Sequence, residues 1–208
     1  MKFPIKKYKK VYDFKNDYYD DFKSSFENIK FENLNDIIEI LDRAYKNKNV
    51  KVFVCGNGGS AALANHFACD HQKLLNNVGP LRPFIISLSS NTALMSAISN
   101  DNNYEYVFSD QIKQIGKKSD ILITISSSGN SKNIVNAIKI AKKMSITSIS
   151  LTGFDGGKSK KIADKNIHIN SHNYGIVESL HHTIMNIISQ YIKNKYLSSK
   201  EIKKIKFW

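Results

Sequence analysis

Two short segments of this chain combine glycines and hydroxyls in a way that suits the binding of an anion. Residues 56–60 read GNGGS, and residues 126–131 read SSSGNS. Glycines permit positive φ and a close approach of the backbone, and free N–H groups at a helix N-terminus favour a negative charge. Together the two segments predict an uncharged cradle for a phosphate monoester. Taken alone, the first segment could equally be a tight turn with a serine helix cap.

Neither segment has the spacing of a nucleotide-binding loop. The sequence around residues 56–60 and 126–131 matches neither GxxxxGK[ST] nor GxGxxG. Those two patterns place a lysine or a third glycine where a nucleotide phosphate needs it. We therefore expect no nucleotide cofactor.

Carboxylates and imidazoles are paired at helical spacing in two further segments. His66 and Asp70 are four residues apart, and Glu178 precedes His181 and His182 by three and four residues. These spacings put the side chains on one face of a helix. Such groups can move protons or bind a metal ion. The alternatives are an ordinary surface or interface ion pair for His66 and Asp70, and a packed histidine bonded to a backbone carbonyl for His181.

Short β-branched runs that alternate with helical patterns must position these groups. The predicted strands cover residues 50–55, 84–88, 120–125, 146–152 and 166–169. The predicted helices between and after them cover about 61–74, 92–99, 104–116, 131–143 and 174–195. This alternation implies right-handed crossovers and a parallel sheet covered on both faces. Because ligands bind such sheets at the carboxyl ends of the strands, both glycine–serine segments lie where a site is expected.

The two ends of the chain differ from its middle. Residues 14–48 have the apolar spacing of two amphipathic helices, with Asn33 as the predicted cap of the second. Residues 191–208 hold six basic residues and one acidic residue. We therefore divide the chain into an N-terminal helical arm at 1–49 that packs on the domain, an α/β domain at 50–195 and a basic tail at 196–208.

Composition narrows the classes of partner. The chain of 208 residues has a net charge of +13, but only two of its 31 basic residues are arginine, the residue favoured for base and phosphate forks. Nucleic acid is therefore not an expected partner, although Phe207 and Trp208 end the basic tail. Cys55 and Cys69 lie far apart and are expected to be buried free thiols in a reducing cytoplasm. The sequence has no run of 18 apolar residues, so we expect no membrane contact.

The motifs resemble those of the SIS (sugar isomerase) domain family, and within it the phosphoheptose isomerases. Beyond the two glycine–serine segments, the likeness includes residues 97–101 (AISND), 151–157 (LTGFDGG) and 174–181 (YGIVESLH), and it spans about 15–195. The resemblance implies an α/β fold: a flavodoxin-like, five-stranded parallel sheet flanked by helices, with N-terminal helices. It also implies a homotetramer with active sites between subunits.

By motif position, the resemblance assigns the sugar phosphate to the two segments. The serines would hold the phosphate, with Ser127 as a backbone or side-chain donor, while Asn57 and Asn91 would contact the sugar. The family usually has an aspartate where Asn91 stands, so a base at that position is lost. The predicted substrate-binding residues are Asn57, Gly58, Gly59, Ser60, Asn91, Ser126, Ser127, Ser128, Ser131 and Glu178.

The reaction implied by the resemblance is aldose–ketose isomerisation through an enediol. The substrate would be sedoheptulose 7-phosphate or a related sugar phosphate, and the product would supply heptose for a surface polysaccharide. Such a reaction needs a base to remove a proton next to the carbonyl, and an acid to return it. The predicted catalytic residues are His66, Asp70, Glu178, His181 and His182.

The chain departs from the family at positions that matter for chemistry. Asp70 stands where the family has glutamate, Glu178 where it usually has glutamine, and Asn186 where it has a catalytic or zinc-binding histidine. His182, one helical turn before Asn186, could replace that histidine. The predicted ligands of one zinc ion per subunit are then His66, Asp70, Glu178 and His182. The alternative is a SIS domain that binds a sugar phosphate without catalysis, as a regulator or as a partner of a replication initiator.

Overall fold

The protein is described by a computed structural model at residues 3–4, 6–76 and 78–204. Its strands are β1 (Lys51–Gly56), β2 (Phe84–Ser87), β3 (Ile121–Ser126), β4 (Thr147–Thr152) and β5 (Lys165–His168). Its helices are α1 (Val11–Glu27), α2 (Phe31–Tyr45), α3 (Gly59–Leu75), α4 (Thr92–Asp101), α5 (Ser109–Ile115), α6 (Lys132–Lys143), α7 (Gly157–Ile162), α8 (Tyr174–Lys195) and α9 (Ser199–Ile202), and a 3-10 turn covers Tyr104–Tyr106.

The five strands form one parallel sheet in the order β2-β1-β3-β4-β5. The chain moves outward in one direction from β1 to β2 and in the other direction from β3 to β5. The loops that follow β1 and β3 therefore diverge and leave a crevice at their carboxyl ends. Gly56, the last residue of β1, pairs with Ile125 of β3, which brings the two glycine–serine segments side by side. The predicted flavodoxin-like fold is confirmed.

The core has two layers because the central strands are buried on both faces. Val52 and Val54 of β1 point into a cluster with the apolar faces of α2, α3 and α8. Phe53 and Cys55 alternate with them and point into a second cluster with Ile112 of α5 and the buried face of α6. This alternation follows from the period of two in a strand. It anchors α3 and α6, whose N-termini adjoin the crevice.

The N-terminal helices lie against the domain. In α2, Leu41 and Tyr45 are fully buried in the first cluster. The prediction that Asn33 caps α2 was wrong: the helix begins at Phe31, and the Asn33 side chain donates to the carbonyl oxygen of Asn166, 3.1 Å away. Asn33 therefore ties α2 to the backbone beside β5 and does not start the helix.

Other local predictions differ from the structure in small ways. The helix expected over 104–116 is a 3-10 turn followed by α5, and the side chain of Asn103 caps that turn by accepting from Glu105 N. Cys55 is buried, and burial raises the pKa of its thiol, whereas Cys69 is exposed and not buried as expected. Within the basic tail, α9 begins with a capping box between Ser198 and Glu201.

Phe207 and Trp208 lie outside the described residues. Within the described ranges, no helix is long and apolar enough to cross a membrane.

Candidate active site

A sharp turn joins β1 to α3, and its glycines make the turn possible. Gly58 has φ of +53°, a left-handed conformation that L side chains rarely adopt. A Cβ on Gly56 would lie 2.5 Å from the carbonyl oxygen of Ser60. A Cβ on Gly59 would lie 2.9 Å from Oε2 of Glu178, so the carboxylate of α8 contacts the backbone of this turn. The glycines thus place Ser60 in the first turn of α3, three residues after Asn57.

The second segment turns from β3 into α6 and is held by its own hydroxyls. Ser126 Oγ accepts a hydrogen bond from Gly129 N at 3.2 Å, and Ser128 Oγ accepts one from Asn130 N at 3.3 Å. Ser131 is the N-cap of α6, but its hydroxyl makes no capping hydrogen bond. The Ser127 hydroxyl is buried without a partner among the described residues. Ser127 and Ser131 therefore keep donor capacity for a ligand.

The two segments face one another across a pocket of about 140 Å³. Its lining is almost entirely polar and consists of Asn57, Ser60, Ile125, Ser126, Ser127, Ser128, Ser131, Tyr174 and Glu178. This volume is below the roughly 300–1,000 Å³ of typical ligand pockets, so it suits a phosphate group and not a whole sugar phosphate. Hydroxyl donors and the N-termini of α3 and α6 supply the attraction for a dianion without a lysine.

Some predicted substrate residues are placed elsewhere. Asn91 is exposed and caps α4, where its Oδ1 accepts a hydrogen bond from Leu94 N at 3.0 Å. It does not line the pocket. Gly58 and Gly59 belong to the turn between Asn57 and Ser60 but do not line the pocket either. Tyr174, which sequence reasoning did not single out, lies in the lining because it opens α8 beside Glu178.

The proton-transfer candidates form a second group further along α3. His66 Nε2 lies 2.8 Å from Asp70 Oδ2, and the rings of His66 and His182 meet edge to face with centroids 4.5 Å apart. Burial and the neighbouring His66 lower the pKa of His182, against the opposing effect of Asp70. The ring is therefore neutral at pH 7. Its buried Nε2 has no hydrogen-bond partner within the described part of the chain.

His181 does not join this group. Its side chain is fully buried in the α8 core, and burial lowers its pKa to about 4. The backbone of Thr152, at the end of β4, acts against this shift. The structure thus brings His182, and not His181, to His66 and Asp70.

Glu178 and the histidine group are separated along the helices. Glu178 touches Gly59, whereas His66 lies seven residues later on α3, which is about 10 Å at 1.5 Å per residue. Across the described ranges, no three His, Cys, Asp or Glu side chains are grouped so that they could hold a metal ion. Of the four predicted zinc ligands, His66, Asp70 and His182 lie together and Glu178 lies apart from them. The four therefore do not surround a common point. Zinc binding stays a prediction.

An amide pair at the rim of the pocket is a feature that sequence reasoning missed. Asn133, the second residue of α6, exchanges two hydrogen bonds with Asn57, and the Tyr104 hydroxyl donates to Asn57 as well. The only signal in the sequence is an asparagine two positions after the SSSGNS segment. Its meaning depends on the pairing of β1 with β3, which brings α6 next to Asn57.

A larger cavity lies elsewhere. A cleft of about 610 Å³ separates the turn between α1 and α2 from β5, and its lining includes Lys30, Lys160 and His168. None of the predicted site residues lines it. We assign the candidate site to the smaller pocket because that pocket collects the helix N-termini and the available hydroxyls.

Comparisons with known proteins agree with this geometry. The model of the SIS domain family matches residues 17–153. A probable phosphoheptose isomerase of Thermoplasma acidophilum is 36% identical over 170 residues, which make up 81% of this chain and 92% of that protein. A phosphoheptose isomerase of Aliarcobacter butzleri is 39% identical over 150 residues, 72% of this chain and 78% of its own.

Solved structures extend the likeness to the fold. The phosphoheptose isomerase of Neisseria gonorrhoeae superposes with a TM-score of 0.80 and 29% identity. The match covers 88% of this chain and 97% of that structure.

Proposed function

The chain belongs to the SIS domain family and, within it, to the phosphoheptose isomerases, and on this premise we propose that it interconverts a phosphorylated ketose and aldose. The proposed substrate is sedoheptulose 7-phosphate or a close relative. The observation that carries the proposal is the pocket of hydroxyls between the N-termini of α3 and α6, with a carboxylate on its wall. Such a pocket binds a phosphate monoester. The relatives at 36–39% identity are named phosphoheptose isomerases, and a phosphorylated heptose is a phosphate monoester.

The phosphate group is the anchor of the substrate. The hydroxyls of Ser126, Ser127, Ser128 and Ser131 and the first-turn N–H groups of the two helices donate to its oxygens. Because C–C bonds are about 1.5 Å long, an extended seven-carbon chain places C1 roughly 7–8 Å from C7. The reacting carbons then lie beyond the serine pocket, toward His66, Asp70 and His182.

Proton transfer in our scheme belongs to the group on α3 and α8. Asp70, held by His66 at 2.8 Å, removes a proton from C1 and returns it to C2. The hydroxyl proton of O1 passes to O2, so that the ketone becomes a hydroxyl and C1 becomes an aldehyde. The neutral ring of His182 can donate one N–H to the enediolate oxygens, on which negative charge develops. Glu178, between the serine pocket and this group, hydrogen-bonds the hydroxyls of the sugar.

A zinc ion is a further proposal, with His66, Asp70 and His182 as the neighbouring donors. A bound zinc ion would stabilise negative charge on the substrate oxygens. Because Glu178 is turned toward the serine pocket, the four predicted ligands do not form a set as they stand, and the scheme above uses side chains alone. Metal analysis of the purified protein, before and after dialysis against a chelator, tests the proposal together with turnover.

The assembly and the setting are proposals of the same kind. Val11, Tyr12 and Tyr19 expose apolar surface on α1, which supports its burial between copies of the chain. The small volume of the serine pocket supports a site whose remaining wall comes from another subunit. We propose a cytoplasmic homotetramer that supplies heptose for a surface polysaccharide, and light scattering after gel filtration measures the mass of the assembly.

A second candidate function is a sugar-phosphate sensor without catalysis. The departures at Asp70 and Asn186, together with the division of the predicted zinc ligands, favour it. Incubation with sedoheptulose 7-phosphate, with and without zinc, separates the two functions when aldose formation is followed. Turnover supports the isomerase. No turnover, together with binding of the sugar phosphate that is lost in Ser128→Ala, supports the sensor.

A further inference from the structure

We infer that Asn133 and Tyr104 are positioning residues that orient the side-chain amide of Asn57, so that it offers the substrate one N–H and no oxygen. The inference rests on the proposed function and deepens it, because it assigns the donor that faces the sugar. It starts from three side chains on three different elements: the turn after β1, the 3-10 turn and α6.

The orientation of the Asn133 amide is set by a backbone group. Ile134 N donates to Asn133 Oδ1 at 2.9 Å. A backbone N–H can only donate, so the atom that it meets must be the oxygen of the amide. The Nδ2 atom of Asn133 therefore points toward Asn57. Since Asn133 is 2% exposed, water does not compete for these bonds.

Asn133 then sets the orientation of Asn57. Asn133 Nδ2 donates to Asn57 Oδ1 at 2.8 Å, and Asn57 Nδ2 donates to Asn133 Oδ1 at 3.0 Å. The Tyr104 hydroxyl donates to the same Asn57 Oδ1 at 3.1 Å. An amide oxygen has two lone pairs and an amide nitrogen has two hydrogens. Both acceptor positions of Asn57 are thus taken, and one N–H remains.

Tyr104 can do this because the 3-10 turn is fixed to α6. Asn136 Nδ2 donates to the carbonyl oxygen of Glu105 at 3.1 Å, and Lys132 Nζ lies 3.5 Å from Glu105 Oε2. Two successive turns of α6 therefore hold the residue that follows Tyr104. The ring of Tyr104 is about half exposed, but the Tyr104 hydroxyl is directed at Asn57.

The remaining N–H has the polarity that isomerisation needs. Asn57 lines the serine pocket, next to the path of the sugar. The reacting carbons lie beyond the pocket, so this donor binds a sugar oxygen between them and the phosphate. A fixed N–H at that place keeps C1 and C2 in line with Asp70, whereas an amide oxygen would repel the lone pairs of the sugar. A free asparagine could present either end. The network removes that choice before the substrate arrives.

Asn133→Asp tests the network with little change of shape. The carboxylate still accepts from Ile134 N and suits the first turn of a helix, so α6 is retained. It cannot donate to Asn57 Oδ1, and Asn57 loses its fixed orientation. We expect kcat to fall about 30-fold, because the sugar is no longer held in line with Asp70, and KM for sedoheptulose 7-phosphate to rise about 5-fold, because one hydrogen bond to the sugar is lost. Tyr104→Phe removes one bond and is expected to lower kcat about 3-fold, whereas Tyr191→Phe, an exposed residue of α8, is the matched control.

A double-mutant cycle separates positioning from a general structural effect. If Asn133 acts through Asn57, then Asn133→Asp lowers kcat less than about 2-fold when Asn57 is already alanine. The inference is overturned if Asn133→Asp leaves kcat within 2-fold of the parent, or if it lowers kcat by the same factor in both backgrounds. Melting temperatures of all variants are measured alongside.

Binding measurements keep this inference distinct from the proposed isomerase. If the parent protein does not convert the sugar phosphate, the isomerase proposal fails, and titration calorimetry decides the inference. Asn133→Asp is then expected to weaken binding of sedoheptulose 7-phosphate at least 5-fold more than binding of inorganic phosphate, because the added carboxylate repels both anions alike and only the sugar phosphate loses the hydrogen bond from Asn57. Equal effects on both ligands, no effect on either, or no binding by the parent overturns it.

Discussion

The serine pocket and the histidine group of α3 and α8 are built on different physical principles. The pocket uses backbone amides, hydroxyls and helix N-termini, which glycines bring together and which carry no net charge. The histidine group consists of titratable side chains: His66 lies 2.8 Å from Asp70, and its ring meets that of His182 edge to face. Binding of the phosphate therefore depends on how the chain turns, whereas the chemistry depends on which side chains stand on two helices.

The difference predicts which changes the chain can tolerate. A change within residues 56–60 or 126–131 disturbs the backbone of a turn, whereas a side chain on a stable helix, such as Asp70 or Glu178, can change without loss of the fold. The comparison predicts that variants of the pocket act on stability and binding together, while variants of the histidine group act on turnover alone.

Gly129→Ala is expected to have the largest effect. Gly129 has φ of +63°, and a Cβ there would lie 2.1 Å from the carbonyl oxygen of Gly156, a backbone atom that cannot move alone. Strain and displacement of the segment are expected to lower the free energy of unfolding by about 3 kcal/mol or more. Binding of inorganic phosphate is expected to be lost. Urea unfolding and calorimetry measure both, and Gly175→Ala at the start of α8, with a nearest approach of 3.3 Å, is the control. Retained binding in Gly129→Ala would mean that backbone geometry does not define the pocket.

Asp70→Asn is expected to affect turnover only. The amide keeps the size of the side chain but cannot take a proton, so kcat should fall about 1,000-fold, within the usual range for a general base. The affinity for inorganic phosphate should stay within 2-fold, because Asp70 lies outside the pocket lining. Asp36→Asn, which removes an exposed partner of Lys165, is the matched control.

Glu178→Gln decides which region supplies the base. If Asp70→Asn keeps more than a tenth of the activity and Glu178→Gln loses it, the base belongs to the wall of the serine pocket, and the division between binding and chemistry fails. Glu178 touches Gly59 and lines the serine pocket, so this carboxylate is placed to overturn that division.

Ser128→Ala has a smaller expected effect. The Ser128 hydroxyl accepts from Asn130 N at 3.3 Å, and its own hydrogen remains for the phosphate. Loss of one hydrogen bond to a charged group should weaken binding of sedoheptulose 7-phosphate about 10-fold, or roughly 1.4 kcal/mol. At saturating substrate, kcat should not change, because the phosphate is bound equally in ground and transition states. The control is Ser24→Ala on the exposed face of α1. A fall in kcat with an unchanged KM would contradict the assignment of Ser128 to binding.

The pocket was predictable from sequence to a greater extent than the histidine group. Each of its two segments is a short stretch of chain, with glycines at residues 56, 58 and 59 in one and serines at 126–128 in the other. Local turn chemistry, and the rule that ligands bind at the carboxyl ends of parallel strands, are therefore enough to place them. The choice between His181 and His182 needed the rotation of α8, since adjacent residues on a helix differ by about 100°. Packing of Leu180 and Ile184 sets that rotation, and it turns His181 into the core.

Asn91 and Asn133 show the same limit. Motif position assigned Asn91 to the sugar, but its oxygen is used by the backbone of α4. Asn133 was overlooked because its partner, Asn57, is 76 residues away in the chain. Contacts across the sheet depend on strand order and register, which no short motif contains.

The pH dependence of turnover is the smallest effect expected, and it separates the two regions in a different way. The serine hydroxyls do not titrate in the ordinary pH range, whereas His182 does, and burial with His66 lowers its pKa below the ordinary 6.5. His182 therefore keeps its neutral form to lower pH than an ordinary histidine does, and kcat should begin to fall on acidification only below the pH at which an ordinary histidine is protonated. The unfolded chain binds this proton more readily than the folded one, so the contribution of His182 to stability is present above pH 6.5 and is lost as the pH falls through its folded pKa.

NMR titration of the His182 ring in the parent protein and in Asp70→Asn measures the shift. Because Asp70 raises this pKa, the variant should titrate at still lower pH, and an unchanged or higher value would mean that the carboxylate and the ring are not coupled.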